Sequence, residues 1–503
     1  MKINIIGAGM AGLSAGCYLQ MKGFETEIFE RQSKAGGLCT SWKKGAYTFD
    51  GCLHWLLGSS DKNPFYKLWS ELIDMESIKF VNHEIRVDIE VKINKDKNGN
   101  SVFHLYTDLE KLENYMLEIA PDDRKHIHKF ISSIRKLQQF EIPPMIEEAP
   151  MLLPLKDKVK YAKHLPLLLY LFRWRNITNF TFAAKFKDPF LKEAFQLFFD
   201  GDEMPLIIMS MPLAYYDVKS AGYPIGGSSV FMKKIEDKYV ALGGRIRYNA
   251  DVIKIITEND TATGIELKNG IQVTSDITVS AADWHDTVFK ALEGKYVNKT
   301  ILKLAEEKIL PVFYSVFMVS LGVNGNFENQ SHMIRFPLKS DLISPDGTKY
   351  QRLEVHTYNY DPTLAPKGKT VITLSLYTKK GDFWINLRKT DRDKYQRCKE
   401  EFANQLIDLV NEKLGNLKVN IEETDIATPA TFNRYTNNWK GSVQGWLSGK
   451  NLIALPPVDF ELPGLKDFYY CGHWSVPGGG LPIALKSARD IAKIICKRTS
   501  VEF

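Results

Sequence analysis

The chain has 503 residues, 44% hydrophobic and 25% charged, usage that excludes disorder, collagen and coiled coil for the whole and leaves room for roughly two to four domains with large cores. Lysine plus arginine exceeds aspartate plus glutamate by 66 to 60, and a net +6 over this length does not point to nucleic acid. The six cysteines contain no C-x-x-C pair, which argues against a zinc finger or redox dithiol and reads as free thiols in a reducing compartment.

Residues 3–6, Ile-Asn-Ile-Ile, predict a short buried strand. Gly7-x-Gly9-x-x-Gly12 follows and opens a helix through Leu13, Ala15 and Leu19, which Gly23 ends. A second strand, 25–30, closes on the acid Glu30. Each glycine has a mechanical task. Gly7 makes the tight turn, Gly9 lets backbone approach a pyrophosphate, and Gly12 brings the helix close to the sheet. The helix amino end then faces phosphate charge, and Glu30 is placed to accept from ribose hydroxyls. Lys2 and the apolar stretch after it have the outline of a signal sequence, but Asn4, Gly7, Gly9 and Gly12 interrupt it, so none is expected. The longest apolar runs, 165–172 and 206–216, both contain proline and fall short of the roughly 20 residues that span a bilayer.

NAD and FAD share this fingerprint, and the next residues separate them. Glu30-Arg31 is followed by Gly36-Gly37, a second place where backbone can approach the pyrophosphate, and Arg31 can neutralise phosphate or lie over adenosine. Phe49-Asp50-Gly51-Cys52-Leu53-His54 comes next. This order resembles the FAD-dependent phytoene desaturase, carotenoid isomerase and retinol saturase group of the flavin amine oxidase superfamily, in which the second glycine motif and an F-D-x-G-x-H stretch run beside the cofactor. Cys52 stands where that pattern has its glycine, and Asp50 also reads as an ordinary turn or capping residue.

Later segments extend the resemblance. Gly226-Gly227-Ser228-Ser229 precedes a helix, and Gly243-Gly244-Arg245 leads into strands through Val252, whose backbone the resemblance puts near adenine. Val279-Ser280-Ala281-Ala282-Asp283 returns the chain to the sheet. Arg434-Tyr435-Thr436 with Gly441 and Gly445-Trp446 is similar to the isomerase and saturase branch. A strand at 468–471 ends on Gly472, followed by His473, Gly478, Gly479, Gly480, Leu481 and Pro482 and then a helix, and this P-G-G-G-x-P run is similar to the desaturase branch. Many FAD enzymes carry an acid where this chain has His473.

The resemblance implies an α/β fold, with a discontinuous Rossmann-like FAD-binding domain in residues 1–90, 221–290 and 426–503. A mixed α+β substrate domain takes 91–220, with apolar helices, and 291–425, rich in sheet. FAD is the expected cofactor, hydride transfer at flavin N5 the expected chemistry, and a carotenoid, retinoid or other isoprenoid or lipid the expected substrate, with desaturation favoured over saturation or isomerisation. A flavin amine oxidase acting on a smaller substrate, and a non-catalytic lipid carrier of the Rab GDP-dissociation inhibitor type, are the competing readings. No catalytic triad, paired carboxylates or metal spacing stands out, so His54, His473 and Arg434 are the candidates for proton handling, each with a plain structural alternative.

Two readings fit residues 151–175, which carry six basic residues against the single acid Asp157 around an apolar, aromatic middle: a membrane-interface helix, or a core helix with a charged flank. The expected location is cytoplasmic, at the membrane surface in the first case. Phe195, Leu197, Phe198 and Phe199, with Met204–Tyr216, read either as the wall of a tunnel for a long apolar substrate or as core, and 95–100 as a hairpin tip.

Overall fold

A computed structural model describes residues 1–140, 164–198, 205–325, 327, 331–447 and 460–503. Five strands drawn from the whole length of the chain form one parallel sheet, in the order Phe468–Tyr470, Ile277–Ser280, Lys2–Ile6, Glu25–Phe29, Arg245–Arg247. Ile3, Ile5, Ile28 and Val279 are fully buried, the continuous apolar pattern of parallel strands covered on both faces. The helices Met10–Met21, Gly227–Ala241 and Gly480–Arg498 share one apolar cluster with this sheet. A Cβ on Gly12 would lie 1.8 Å from the Gly7 carbonyl oxygen, so the first helix can sit this close to the turn beneath it only with glycine there. Val252–Glu258, Thr261–Leu267 and Gln272–Thr274 make a small antiparallel sheet beside it.

A second sheet of seven strands runs Ile421–Ala427, Ser315–Asn324, Lys369–Thr378, Lys349–Thr357, Met333–Ile343, Ile85–Glu90, Val102–Tyr106. Its pairings are antiparallel except the one between Met333–Ile343 and Ile85–Glu90. Alternation along Ser315–Asn324 sets its faces. Phe317, Val319, Leu321 and Val323 pack against the helices Gly381–Thr390 and Arg392–Leu414, while Val316 and Met318 face Leu38 and Trp42 of the first sheet's domain. Strand Ile85–Glu90 is part of this sheet although it lies ahead of residue 90, and Lys95–Asn100 is in the loop that joins it to Val102–Tyr106.

The helices Leu109–Ile119, Arg124–Gln138, Leu165–Trp174, Pro189–Gln196 and Met211–Asp217 close a lobe around Phe130, Phe182, Phe186, Phe195 and Phe198. Phe195 stacks on Phe198 at 4.1 Å between ring centroids. Leu206, Ile207 and Leu213 are buried in this cluster and serve as core, whereas Phe199 and Met204 lie outside the described residues. No helix among the described residues is long and apolar enough to cross a membrane.

Candidate active site

The parallel strands end at a groove, the usual place for a ligand on such a sheet. Its near wall is backbone. Gly7 and Gly9 line it with Gly36 and Gly37, and the two glycine loops touch: the Gly36 N–H donates to the Ala8 carbonyl at 2.9 Å, and a Cβ on Gly37 would come within 3.3 Å of the Gly9 Cα. Gly36 has φ +128°, a conformation open to glycine. Gly12 is not on the groove; it works underneath, in the helix packing described above.

Glu30 lines the groove at the end of its strand. The Ala8 N–H donates to its Oε2 and the Gln32 N–H to its Oε1, each at 2.8 Å, which fixes the carboxylate facing the glycine turn. Burial pushes this carboxyl up, against the pull of those two amides. Arg31 sits beside it, with Nε 3.7 Å from Asp251 Oδ1, and its Nη1 is buried without a partner among the described residues. Val252 also lines the groove.

At the far end the strand Phe468–Tyr470 runs into Gly472 and His473, and the helix Gly480–Arg498 starts with Gly480 and Leu481 on the groove. Gly478 and Gly479 build the turn that aims this helix. The Gln444 side-chain amide donates to the Gly478 carbonyl at 2.6 Å, and a Cβ on Gly479 would lie 2.0 Å from the Gln444 carbonyl oxygen. A dinucleotide's phosphates suit this groove: side-chain-free walls admit them, two helix amino ends face them, and Arg31 Nη1 offers an unused donor.

The three candidates for proton handling are dispersed. His473 is on the groove with Nε2 buried and without a partner among the described residues, and burial pulls its pKa down to about 4. His54 is two residues beyond Cys52, which lines the groove; its Nδ1 is 3.2 Å from the Tyr358 hydroxyl, and burial, reinforced by His356, pulls it down to about 3. Both are neutral at neutral pH, because the interior disfavours the cation. Arg434, on the helix Pro429–Thr436, lies over the Tyr435 ring at 4.3 Å and lines, with Arg388 and Arg392, a cavity that adjoins this groove and shares Gly37, Leu38, Tyr435 and Thr436 with it.

Asp50 is a pin. Its carboxylate accepts from the Cys52 and Leu53 N–H groups at 2.9 and 3.1 Å and from the Ser228 N–H and hydroxyl at 2.6 Å each, tying the segment before His54 to the first turn of Gly227–Ala241. The turn-and-capping reading of Asp50 is the one its contacts describe.

Sequence reasoning passed over Asp283 as a possible site residue. It lines the groove, caps a short helix through the Asp286 N–H, and accepts from the Trp439 N–H at 2.9 Å, with burial pushing its carboxyl up to about 7. Only its place just after a strand end could have marked it. Trp284, Trp446 and Trp474 meet edge to face at 5.3 and 4.9 Å and are almost wholly buried, with Trp474 on the groove wall. They fill core rather than forming an open cage for an amine.

Fold and groove define a dinucleotide-dependent oxidoreductase built on an α/β sheet. The family described as flavin containing amine oxidoreductase matches residues 10–496, and the chain belongs to it. It is 25% identical over 509 residues to the chloroplastic prolycopene isomerase of Daucus carota, covering 95% of this chain and 77% of that protein. It is 23% identical over 515 residues to a 4,4'-diapophytoene desaturase (4,4'-diapolycopene-forming) of Methylomonas sp, covering 100% and 96%. Among solved structures, an oxidoreductase from Methanosarcina mazei shares the fold at a TM-score of 0.59 and 18% identity, over 98% of this chain and 99% of that one. The protein is thus an FAD-dependent oxidoreductase of the superfamily its glycine motifs resemble.

Proposed function

We propose that the chain desaturates a long apolar polyene or isoprenoid. The observation that carries this is the pairing of a backbone-walled FAD groove with relatives named as carotenoid desaturases and isomerases. Bound FAD supplies a two-electron acceptor, the chemistry an unactivated hydrocarbon requires. Gly7, Gly9, Gly36 and Gly37 admit its pyrophosphate, Arg31 offsets phosphate charge, and Glu30 accepts from ribose hydroxyls. The amino end of Gly480–Arg498 brings positive partial charge to the groove, which favours electrons arriving there and hence oxidation of the substrate. Burial keeps His473 and His54 in the neutral form, which can accept the proton a desaturation releases beside the hydride.

Direction is tested anaerobically in two tubes, one with oxidised enzyme and a partly saturated isoprenoid, the other with photoreduced enzyme and a polyene. We expect flavin bleaching in the first and no change in the second. Polyene loss with flavin reoxidation confined to the second tube would make the enzyme a saturase, and altered double-bond geometry without net redox an isomerase.

The substrate's insolubility suits a protein seated on a membrane at its cytoplasmic surface, and we propose the helix Leu165–Trp174 as the contact. Leu165, Leu168, Leu169 and Phe172 follow helical spacing along one exposed face, while Leu167 and Trp174 turn into the lobe core. Arg173 and Arg175 flank that face; Lys156, Lys158, Lys160 and Lys163 lie outside the described residues. The protein should co-sediment with anionic vesicles at low salt, less so at high salt. Joint replacement of Leu169 and Phe172 by glutamate should weaken binding about 100-fold or more, since each apolar side chain contributes roughly 1.5–3 kcal/mol. Unchanged sedimentation of that variant would assign the contact elsewhere.

A further inference from the structure

Four of the chain's ten histidines meet in one place that the flavin chemistry does not use. His54 packs on His356 at 4.7 Å between centroids, and His83 stacks on His332 at 3.5 Å with planes 10° apart. Tyr360 bridges them, edge-on to His83 at 4.4 Å and 5.8 Å from Tyr358, whose hydroxyl meets His54. The cluster starts next to Cys52 on the cofactor groove and reaches a surface cleft lined by His83 and Tyr216.

Arg86 enters this cluster from strand Ile85–Glu90. It is half-buried, its guanidinium lies 5.5 Å from the Tyr216 ring centroid, and among the described residues its hydrogen bond goes from Nη1 to the Met333 thioether at 3.2 Å. Among the described residues no carboxylate is within salt-bridge distance of it. Glu354 is the acid whose charge reaches Arg86, and it is already engaged by Arg335 at 3.1 Å and by His356 Nε2 at 2.9 Å. Burial, together with Arg86 itself, holds His54, His83 and His332 below the ordinary imidazole range, so all three are neutral and none competes for an anion. Arg335 and His356 both engage Glu354, so among the described residues no acid is left to pair with Arg86. Three further groups are unused among the described residues: His83 Nε2, buried without a partner, and the Tyr216 and Tyr360 hydroxyls.

A half-buried guanidinium without an anion is expensive to maintain, and hydrocarbon does nothing for it. A carboxylate does: it accepts two parallel N–H bonds from one guanidinium, and its single charge matches the single unpaired cation. We propose that Arg86, with the Tyr216 and Tyr360 hydroxyls and His83, binds the terminal carboxylate of a long unsaturated substrate whose chain runs past His54 to the flavin groove. This deepens the desaturase reading and rests on it for the chain's destination; the substrate is then a polyene acid rather than a pure hydrocarbon.

The test is equilibrium binding to the flavin-loaded protein, followed by tryptophan quenching, with all-trans-retinoic acid, its methyl ester, and a carotene hydrocarbon as probes. Wild type should prefer the acid over the ester by about 10- to 100-fold, the range of a hydrogen bond to a charged group. Arg86→Met should abolish that preference with flavin content unchanged, and Arg86→Lys should keep part of it. Tyr360→Phe gives a milder loss and serves if Arg86→Met does not fold. Equal binding of acid and ester by wild type, failure of the acid to bind, or an acid preference that survives in Arg86→Met would each overturn the inference. Desaturation of the carotene without acid preference would overturn it while sparing the desaturase reading. An Arg86-dependent acid preference with no turnover in either redox direction would support it and count against that reading instead.

Discussion

Replacing Gly9 by valine should yield a folded protein that purifies colourless. Gly9 has φ −76° and ψ −174°, ordinary extended backbone that valine adopts readily. A Cβ there would meet protein only at 3.9 Å, at the Gly37 Cα, so the fold accommodates it. The branched side chain instead stands in the groove, where the pyrophosphate would bind. Losing one or two charge-assisted hydrogen bonds there, at roughly 1.5–3 kcal/mol each, weakens FAD binding by about 100-fold or more. Gly12→Ala should do the opposite. Its Cβ would lie 1.8 Å from a backbone oxygen that cannot step aside, so the helix itself must move. We expect a loss of about 3 kcal/mol or more in stability, beyond ordinary overpacking, with flavin retained by whatever fraction folds. Flavin absorbance per protein and urea unfolding midpoints separate the two outcomes. Full flavin content in Gly9→Val would remove the pyrophosphate from this loop.

Asp50→Ala should be among the most damaging single changes in the chain. The carboxylate is 2% exposed and holds four donors from two segments 178 residues apart in sequence. Alanine strands those buried donors, each at roughly 1–3 kcal/mol, and water reaches only some of them, so we expect a total of about 3–5 kcal/mol. Asp50→Asn keeps one acceptor oxygen and turns an amide toward the remaining donors, and should cost about half as much. Gly227→Ala should imitate the alanine variant, because its Cβ would fall 2.2 Å from Asp50 Oδ2. Unfolding midpoints of the flavin-loaded proteins rank the three. A wild-type midpoint for Asp50→Ala would mean that the joint between the two segments is held by something else.

The glycine fingerprints were legible because their logic is local. A turn, a close backbone approach and a strand-end acid occur within 30 residues, and Gly7, Gly9, Glu30, Gly36 and Gly37 do meet on one groove. The helix start at Gly480 was legible for the same reason. The exact place of Arg434, in the cavity beside the groove, was not legible, because its motif fixes a helix and a turn, not the side of the helix from which the long side chain leaves. The lowered pKa values of His54 and His473 were not legible because titration depends on burial, and burial is a property of the assembled chain. Arg86 went unnoticed for a related reason. Its neighbours Tyr216, Met333 and Glu354 come from separate elements, and strand periodicity says which face a residue takes but not which strand will lie beside it.

The parallel sheet also sets a timetable. Its central strand, Lys2–Ile6, is made more than four hundred residues ahead of Phe468–Tyr470 and Gly480–Arg498, which complete the groove and cover the first helix. At about 5–20 residues per second, a ribosome needs roughly half a minute to a minute and a half to supply them. Through that interval the first helix lacks Gly480–Arg498, the helix that covers it in the finished protein. A nascent chain therefore has no complete flavin site to load, and its first helix is a ready client for a chaperone. Riboflavin supply during expression should raise the yield of coloured protein only through chains already released, and co-expressed chaperone should act earlier, on the waiting amino-terminal unit.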